Sequence, residues 1–432
     1  MWHHRLAGSA LAATGALGSL FLAACGGVAG TPVGAAADAS STPAEASSPD
    51  TSTGTPGNPP DAGAETNGEV DASGGADAGP PFAATHAPLP QVPDQGGPIL
   101  AAPHLITIDF SGFTLDSNVS AFGDFVVTSS WLTTTGAEYG VGAGTHTHVS
   151  LTDAAPASLA VADVENYLSQ KITDGTLPGG VQSQPTNDLY MIFYPPSTSI
   201  TDLGNAALCA ANPAGSWQVG PVDHDGTSAG PRFAYAIITT CPGEGTLGVD
   251  WTAAEVLMSA ATDPYRLSNP AYILPATSPW FPWDDQVGYM CDYMPPVVES
   301  GYSLPPVWSN ANVRAGTWPC APVQTGTYFN VSVSPDVTQT IAAGAAITVP
   351  VTGWSTASMP AWTVTATAAC DGFTPTATLA SGASTMNNGG ATELTITVPA
   401  GTPSGSLGVV RLHSSRNGGD WLSEWVVPIQ VK

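Results

Sequence analysis

The chain has 432 residues, 48 of them Gly and 40 Pro, and its 8 Lys or Arg stand against 34 Asp or Glu, a formal charge of −26. No basic residue occurs between Arg5 and Lys171, so the chain lacks the clustered cations that neutralise a nucleic-acid backbone, and an anionic lipid surface would repel it. The length allows two or three domains, and the acidity fits a protein that must stay soluble at a surface.

Residues 1–24 read as an export signal. Arg5 supplies the charge, Leu6–Leu20 is apolar and small, and Leu22-Ala23-Ala24-Cys25 follows. Small residues end a signal peptide, and a Cys at this point resembles the bacterial lipobox, in which Cys25 takes the lipid. The apolar stretch is shorter than the roughly 20 residues that span a bilayer. The expected location is therefore the bacterial cell envelope, with the chain lipid-anchored at the outer membrane or cell surface.

Residues 25–103 are mostly Ala, Gly, Pro, Ser, Thr and Asp, with Phe82 the one aromatic. Such a composition buries too little surface to offset its ordering entropy. It reads as a disordered tether, with a reach on the order of 50 Å.

An α+β domain is expected over 104–327. Leu105–Phe110 and Phe122–Val127 are strand-like by their β-branched content. Val164, Tyr167, Leu168 and Ile172 would share one face of a helix over Asp163–Ile172. Leu189–Tyr194 and Phe233–Thr239 are dense apolar runs, the mark of strands buried on both faces. Thr252–Thr262 predicts a helix, with Thr252 as N-cap, Glu255 in the capping-box position and Pro264 beyond its end. Strands and helices interleave without strict βαβ repetition, hence the α+β class. Residues 265–325 are rich in Pro, Trp and Gly and read as ordered loops.

An all-β, Ig-like sandwich is expected over 328–432. Ile347–Val351, Trp362–Thr367, Glu393–Val398, Gly408–Leu412 and Trp425–Val431 are strand-length runs with turn residues between them.

Six cysteines are present. With Cys25 given to lipid, the spacing favours Cys209–Cys241 and Cys291–Cys320, each closing a loop worth roughly 3–4 kcal/mol, and leaves Cys370 over. Four cysteines allow three pairings, so other connectivities stay open.

Tyr139-Gly140-Val141-Gly142, Leu189–Pro196, the strand ending at Cys241, and Thr252–Pro264 occur in a particular order. They are followed by Asp285-Gln286-Val287-Gly288-Tyr289-Met290-Cys291, Val307-Trp308-Ser309-Asn310 and Pro319-Cys320. This order resembles a group of exported bacterial metallopeptidase-like proteins and, more distantly, the plant EXORDIUM (phosphate-induced) family. The resemblance implies a helix of the form T-x-x-H-E-x-x-E-A-x-T-D-P and a later G-x-E-I-x-D-x-C. On that pattern the metal-binding His falls at Glu255, the base Glu at Val256 and the second Glu at Ser259. The later acidic pair falls at Gln286 and Tyr289. The framework positions Ala260, Ala261, Thr262, Asp263, Pro264, Gly288 and Cys291 remain. The resemblance thus implies a peptidase-like fold whose catalytic positions are degenerate.

The residues give the same answer without the family. Glu255 and Ser259 share a helix face, but one carboxylate and one hydroxyl make a poor zinc site. Val256 cannot take a proton from water. Glu255 alone is also what a helix N-terminus favours. No catalytic residue and no cofactor are therefore expected.

Three alternatives carry weight. His146 and His148 alternate and would share a strand face; with His224, flanked by Asp223 and Asp225, they would rebuild a metal site for a hydrolase. Both segments read as loops. Asp284, Asp285 and Asp292 offer oxygens to Ca²⁺, although no loop motif fits their spacing. Trp280, Trp283, Trp308 and Trp318 would stack on a sugar if exposed, or form core if not. No G-x-S-x-G elbow, P-loop or G-x-G-x-x-G is present. The expected role is a non-catalytic surface lipoprotein, with a hydrolase at the histidines or a carbohydrate binder as the alternatives; a protein or polysaccharide partner is left open.

Overall fold

The computed structural model describes residues 82–179, 187–200, 217–223, 233–240, 246–266, 269–281, 283–371, 373–380, 384–416 and 419–432. Cys25, Cys209, Cys241 and His224, with most of the expected tether, lie outside these residues. In chain order the first half gives β1 (His104–Asp109), α1 (Asp116–Val126), α2 (Ser130–Thr135), β2 (Thr145–Ser150), β3 (Ser158–Leu159) and α3 (Val161–Thr173). Then come β4 (Asp188–Tyr194), β5 (Ser199–Ile200), β6 (Trp217–Asp223), β7 (Ala234–Thr239) and α4 (Thr246–Thr262).

The principal sheet has the order β2-β1-β4-β7-β6. Its first four strands are mutually parallel, and β6 runs antiparallel at the edge. Every residue of β7 is buried, and so are all but the first of β4, as expected of strands covered on both faces. Leu105, Met191 and Ala236 face α1, α2 and α4. Ile106, Ile192 and Ile237 face Val164, Leu168 and Ile172 of α3. With helices on both faces and four parallel strands, the half is a wound α/β arrangement, where interleaving without strict βαβ repetition led to the α+β expectation.

Three local expectations change. Phe122–Val126 is helical and belongs to α1, with Val127 as its C-cap, because Val119, Phe122 and Val126 line one face and are buried together. Helix α4 begins at Thr246, six residues before the expected start, so Thr252 and Glu255 are interior and have no capping role. Residues 145–150 form a strand, not a loop.

The segment 82–103, assigned by composition to the tether, is packed onto the fold. Val92 and Leu100 are buried. The Ala84 and Val92 amides donate to the side chains of Asn388 and Asn310, and the Leu100 amide donates to the Ala261 carbonyl. A few apolar side chains and well-placed backbone partners order a Pro-rich strap that average composition reads as coil.

Residues 265–325 carry short pieces: β8 (Val297–Glu299), β9 (Tyr302–Leu304), β10 (Val307–Trp308), α5 (Asn310–Arg314) and β11 (Cys320–Ala321). The Glu299 carboxylate accepts from the Ser130 and Trp131 amides at 2.9 Å, an anion at the amino end of α2. The disulfide Cys291–Cys320 is present, with Cα atoms 6.0 Å apart.

The last third is a β-sandwich built from β12 (Phe329–Val333), β13 (Gln339–Ile341), β14 (Ala346–Ser355), β15 (Trp362–Asp371), β16 (Thr376–Leu379), β17 (Ser384–Met386), β18 (Ala391–Thr397), β19 (Leu407–Ser415) and β20 (Trp421–Val431). Its sheets have the orders β12-β14-β18-β16 and β13-β20-β19-β15-β17. Each expected run falls on one of these strands, with Val398 one residue past the end of β18. The chain is thus β-rich overall. One apolar cluster runs from Leu105 and Met191 through α4 to Trp308, Phe329 and Trp425, so the core continues across the expected boundary at 327/328.

Candidate functional site

Helix α4 carries alanines at 253, 254, 260 and 261, all fully buried. Its residues from Val249 to Thr262 are buried on every side, the pattern of a central helix rather than an amphipathic one. Glu255, Val256 and Ser259 are 2%, 0% and 0% exposed.

The two segments that the resemblance links meet in space. A Cβ at Gly288 would stand 2.3 Å from Ser259 Oγ and 2.7 Å from the Glu255 carbonyl oxygen. The 288 backbone therefore lies directly on the Glu255–Ser259 turn, and only glycine permits that approach. Gln286 Nε2 donates to Asp263 Oδ2 at 3.2 Å, and the Ala271 amide donates to Asp263 Oδ1 at 2.7 Å. Burial pushes the Asp263 carboxyl up to about 7. Gln286 and Tyr289 are themselves enclosed. Chemically the region can hold a helix and a loop together. Val256 offers no base, and Ser259 Oγ finds no hydrogen-bond partner among the described residues.

Three residues of β2 turn one face to α1. Thr107 on β1 lies opposite His148, and Asp109 opposite Ser150. Thr107 Oγ1 is 2.8 Å from His146 Nε2 and 2.9 Å from His148 Nδ1. Beyond them, His146 Nδ1 is 2.8 Å from Asp124 Oδ1, and His148 Nε2 is 2.8 Å from Asp116 Oδ1. Ser150 Oγ donates to Asp116 at 2.5 Å. Helix α1 comes close enough that a Cβ at Gly123 would stand 2.2 Å from His146 Nε2. The His146 side chain is only 3% exposed, and burial lowers its pKa although Asp124 opposes this.

Asp109 closes β1 at this end. It is 1% exposed, and its Oδ2 is 3.5 Å from His148 Nε2. Burial and the neighbouring Asp116 carboxyl push Asp109 up to about 6, while hydrogen bonds from Ser150 and His148 hold Asp116 down near 2. One ligand atom from each of Asp109, Asp116 and His148 lies within 4.8 Å of the others. The expected pairing of His146 and His148 on one face is present, with ring centroids 6.4 Å apart. The histidines are on β2 at one edge of the sheet, and α4 packs on β6 and β7 at the other; the third expected member, His224, lies outside the described residues.

Sequence reading missed Thr107, Asp109, Asp116 and Asp124. Asp109, an acid ending a buried strand, was the one local signal. In open sheets of this kind, ligands collect beyond the carboxyl ends of the strands where the winding reverses. Strand β1 is that point, flanked by β2 on one side and β4 on the other.

The remaining expectations resolve differently. Asp284 pairs bidentately with Arg411 at 2.8 and 3.1 Å, and Asp285 pairs with Arg266 at 3.0 Å. Two of the three acids expected at a Ca²⁺ site, Asp284 and Asp285, are thus committed to guanidinium groups. Trp280, Trp308 and Trp318 are buried, and Trp283 is half-buried. Trp280 meets Trp308 and Trp425 at ring distances of 5.8 and 5.7 Å, and Trp318 meets Tyr328 and Phe329. They form the joint between the loops and the sandwich. A groove of about 320 Å³ lies beside Tyr139, Tyr272 and Arg314. Of its two acids, Asp94 and Glu138, the second is taken up by the Ser309 hydroxyl and the Ala311 amide of α5.

No protein-family model matches the chain, and no curated protein matches it. Among solved structures it is similar to domains 4 and 5 of the surface-layer protein SbsC, at 16% identity and TM-score 0.19, over 25% of this chain and 55% of that one. The chain therefore spans about half of that fragment. A second is WR4, a C. elegans MSP family member, at 13% identity and TM-score 0.18, over 24% and 97% of the two chains. A third is a conjugative transposon lipoprotein from Bacteroides eggerthii, at 14% identity and TM-score 0.18, over 23% and 95%. Scores this low carry no inference about the chain's activity or location.

Proposed function

We propose that the chain is an exported, lipid-anchored envelope protein that acts by binding, on a peptidase-like scaffold whose hydrolytic centre has been filled in. The observation that carries this reading is the 288 backbone seated on the Glu255–Ser259 turn of an enclosed helix. A hydrolytic metal centre needs an open coordination position and a base beside it. Here that space is occupied by main chain, and the base position is Val256. The likeness to exported bacterial metallopeptidase-like proteins belongs to the same proposal, as does lipidation at Cys25. Among the described residues no helix is long and apolar enough to cross a membrane, so an anchor would have to come from elsewhere in the chain.

Two measurements test the reading. Purified protein incubated with an unfolded protein substrate should produce no chelator-sensitive cleavage; cleavage abolished by both chelator and Glu255→Ala would sink the non-catalytic part. Radiolabelled palmitate should enter the wild-type chain and not Cys25→Ala in a lipoprotein-processing host. Equal labelling of the two would remove the anchor.

A further inference from the structure

We propose that Asp109, Asp116 and His148 form a site for one divalent transition-metal cation of the Zn²⁺ or Mn²⁺ class, at the carboxyl end of β1. The donors come from three elements: the last residue of β1, the first residue of α1 and the middle of β2.

The donors are joined by a row of contacts that runs Asp124–His146–Thr107–His148–Asp116. Thr107 Oγ1 meets His148 Nδ1 at 2.9 Å, so the other ring nitrogen, Nε2, faces Asp116 Oδ1 at 2.8 Å, Ser150 Oγ at 3.2 Å and Asp109 Oδ2 at 3.5 Å. A cation among these oxygens would take Nε2 as a ligand, and Thr107 would hold the imidazole from behind, as outer partners of metal-bound histidines do.

Asp109 points the same way independently. Its carboxyl is 99% buried by its 1% exposure, and neither oxygen receives a hydrogen bond of normal geometry. An enclosed carboxylate facing a second carboxylate is held by a proton or a metal. Two carboxylates and a neutral imidazole balance a divalent ion. The amino end of α1 opposes a cation only by a fraction of a charge. The nitrogen donor favours Zn²⁺ or Mn²⁺ over Ca²⁺, which takes six to eight oxygens. Asp116, 51% exposed, leaves one side open to water, so the ion would be exchangeable.

The test uses the full-length chain, stripped with chelator and titrated calorimetrically with Zn²⁺ and with Mn²⁺, with bound metal counted by elemental analysis. One equivalent should bind. Asp109→Asn and His148→Gln should each weaken binding at least tenfold, and Glu255→Gln should leave it unchanged. Imidazole ¹⁵N spectra of the wild type, which need no variant to fold, should show Nε2 of His148 shifting on metal addition. Binding that survives Asp109→Asn, binding lost in Glu255→Gln, or a His148 signal that reads as imidazolium and ignores metal would each overturn the site. This outcome is separate from that of the lipid-anchored, non-catalytic reading, which neither result touches.

Discussion

Removing Arg411 isolates what a buried cation does for this fold. Its side chain is 14% exposed, and its guanidinium holds both oxygens of Asp284 and one of Glu424, acids that are 1% and 2% exposed. Burial pushes Glu424 up to about 8 even with the guanidinium opposing the shift, and the same burial, with Arg411 nearby, holds His413 neutral with a pKa near 3. Arg411→Ala leaves two enclosed carboxyls with no counter-charge, a change that typically costs about 3–5 kcal/mol. In a chain of this size that lowers Tm by about 5 °C. The sign with pH follows from linkage. Glu424 is raised in the folded state, so its contribution is complete below the ordinary carboxylate range and is lost as pH rises toward the folded value. Without Arg411 the folded value climbs further, so the deficit should be larger at pH 8 than at pH 5. Calorimetric melts of parent and variant at both pH values measure this. Adding Asp284→Asn and Glu424→Gln to an Arg411→Met background should recover much of the loss. A single variant that melts with the parent at both pH values would refute the account.

Gly288→Ala should destabilise by roughly 1–3 kcal/mol through overpacking, since its Cβ meets Ser259 Oγ and the Glu255 carbonyl; a Ser259→Ala background should relieve part of it, read as urea midpoints. Asp263, raised to about 7 by burial, contributes stability that is whole below about pH 4 and lost toward neutrality. Asp263→Asn should flatten that slope in melts between pH 4 and 8, with the Gln286 amide turning to accept from the new side chain. Reducing Cys291–Cys320, which closes a separation of 29 residues, should cost about 3–4 kcal/mol, seen as a lower melting temperature in a non-thiol reductant.

The buried parallel strands and the sandwich strands were legible because β-branched runs declare themselves locally. Helix α1 was misread over Phe122–Val127 because Phe125-Val126-Val127 favours a strand by propensity, while burial of Val119, Phe122 and Val126 on one face decides for a helix. The start of α4 was hidden for the opposite reason: a helix buried all round has no stripe to read. Alternation placed His146 and His148 on one face correctly. Their partners were beyond reach of local reading, since Asp116 and Asp124 lie 32 and 22 residues away and meet the histidines only once α1 folds back over the sheet. Composition also averaged away Val92 and Leu100, whose burial orders the strap.

That strap bears on the order in which the chain can fold. The Ala84 amide bonds to a side chain 304 residues later, and the Val92 amide to one 218 residues later. Contacts of such separation form late, because loop-closure entropy opposes them until the intervening chain is in place. During synthesis the Ala84, Val92 and Leu100 amides emerge well before their acceptors, and Ala84 waits until Asn388 has followed. A chain ending short of Asn388 would leave the Ala84 amide without that acceptor, so the strap serves as a latch on a nearly complete fold.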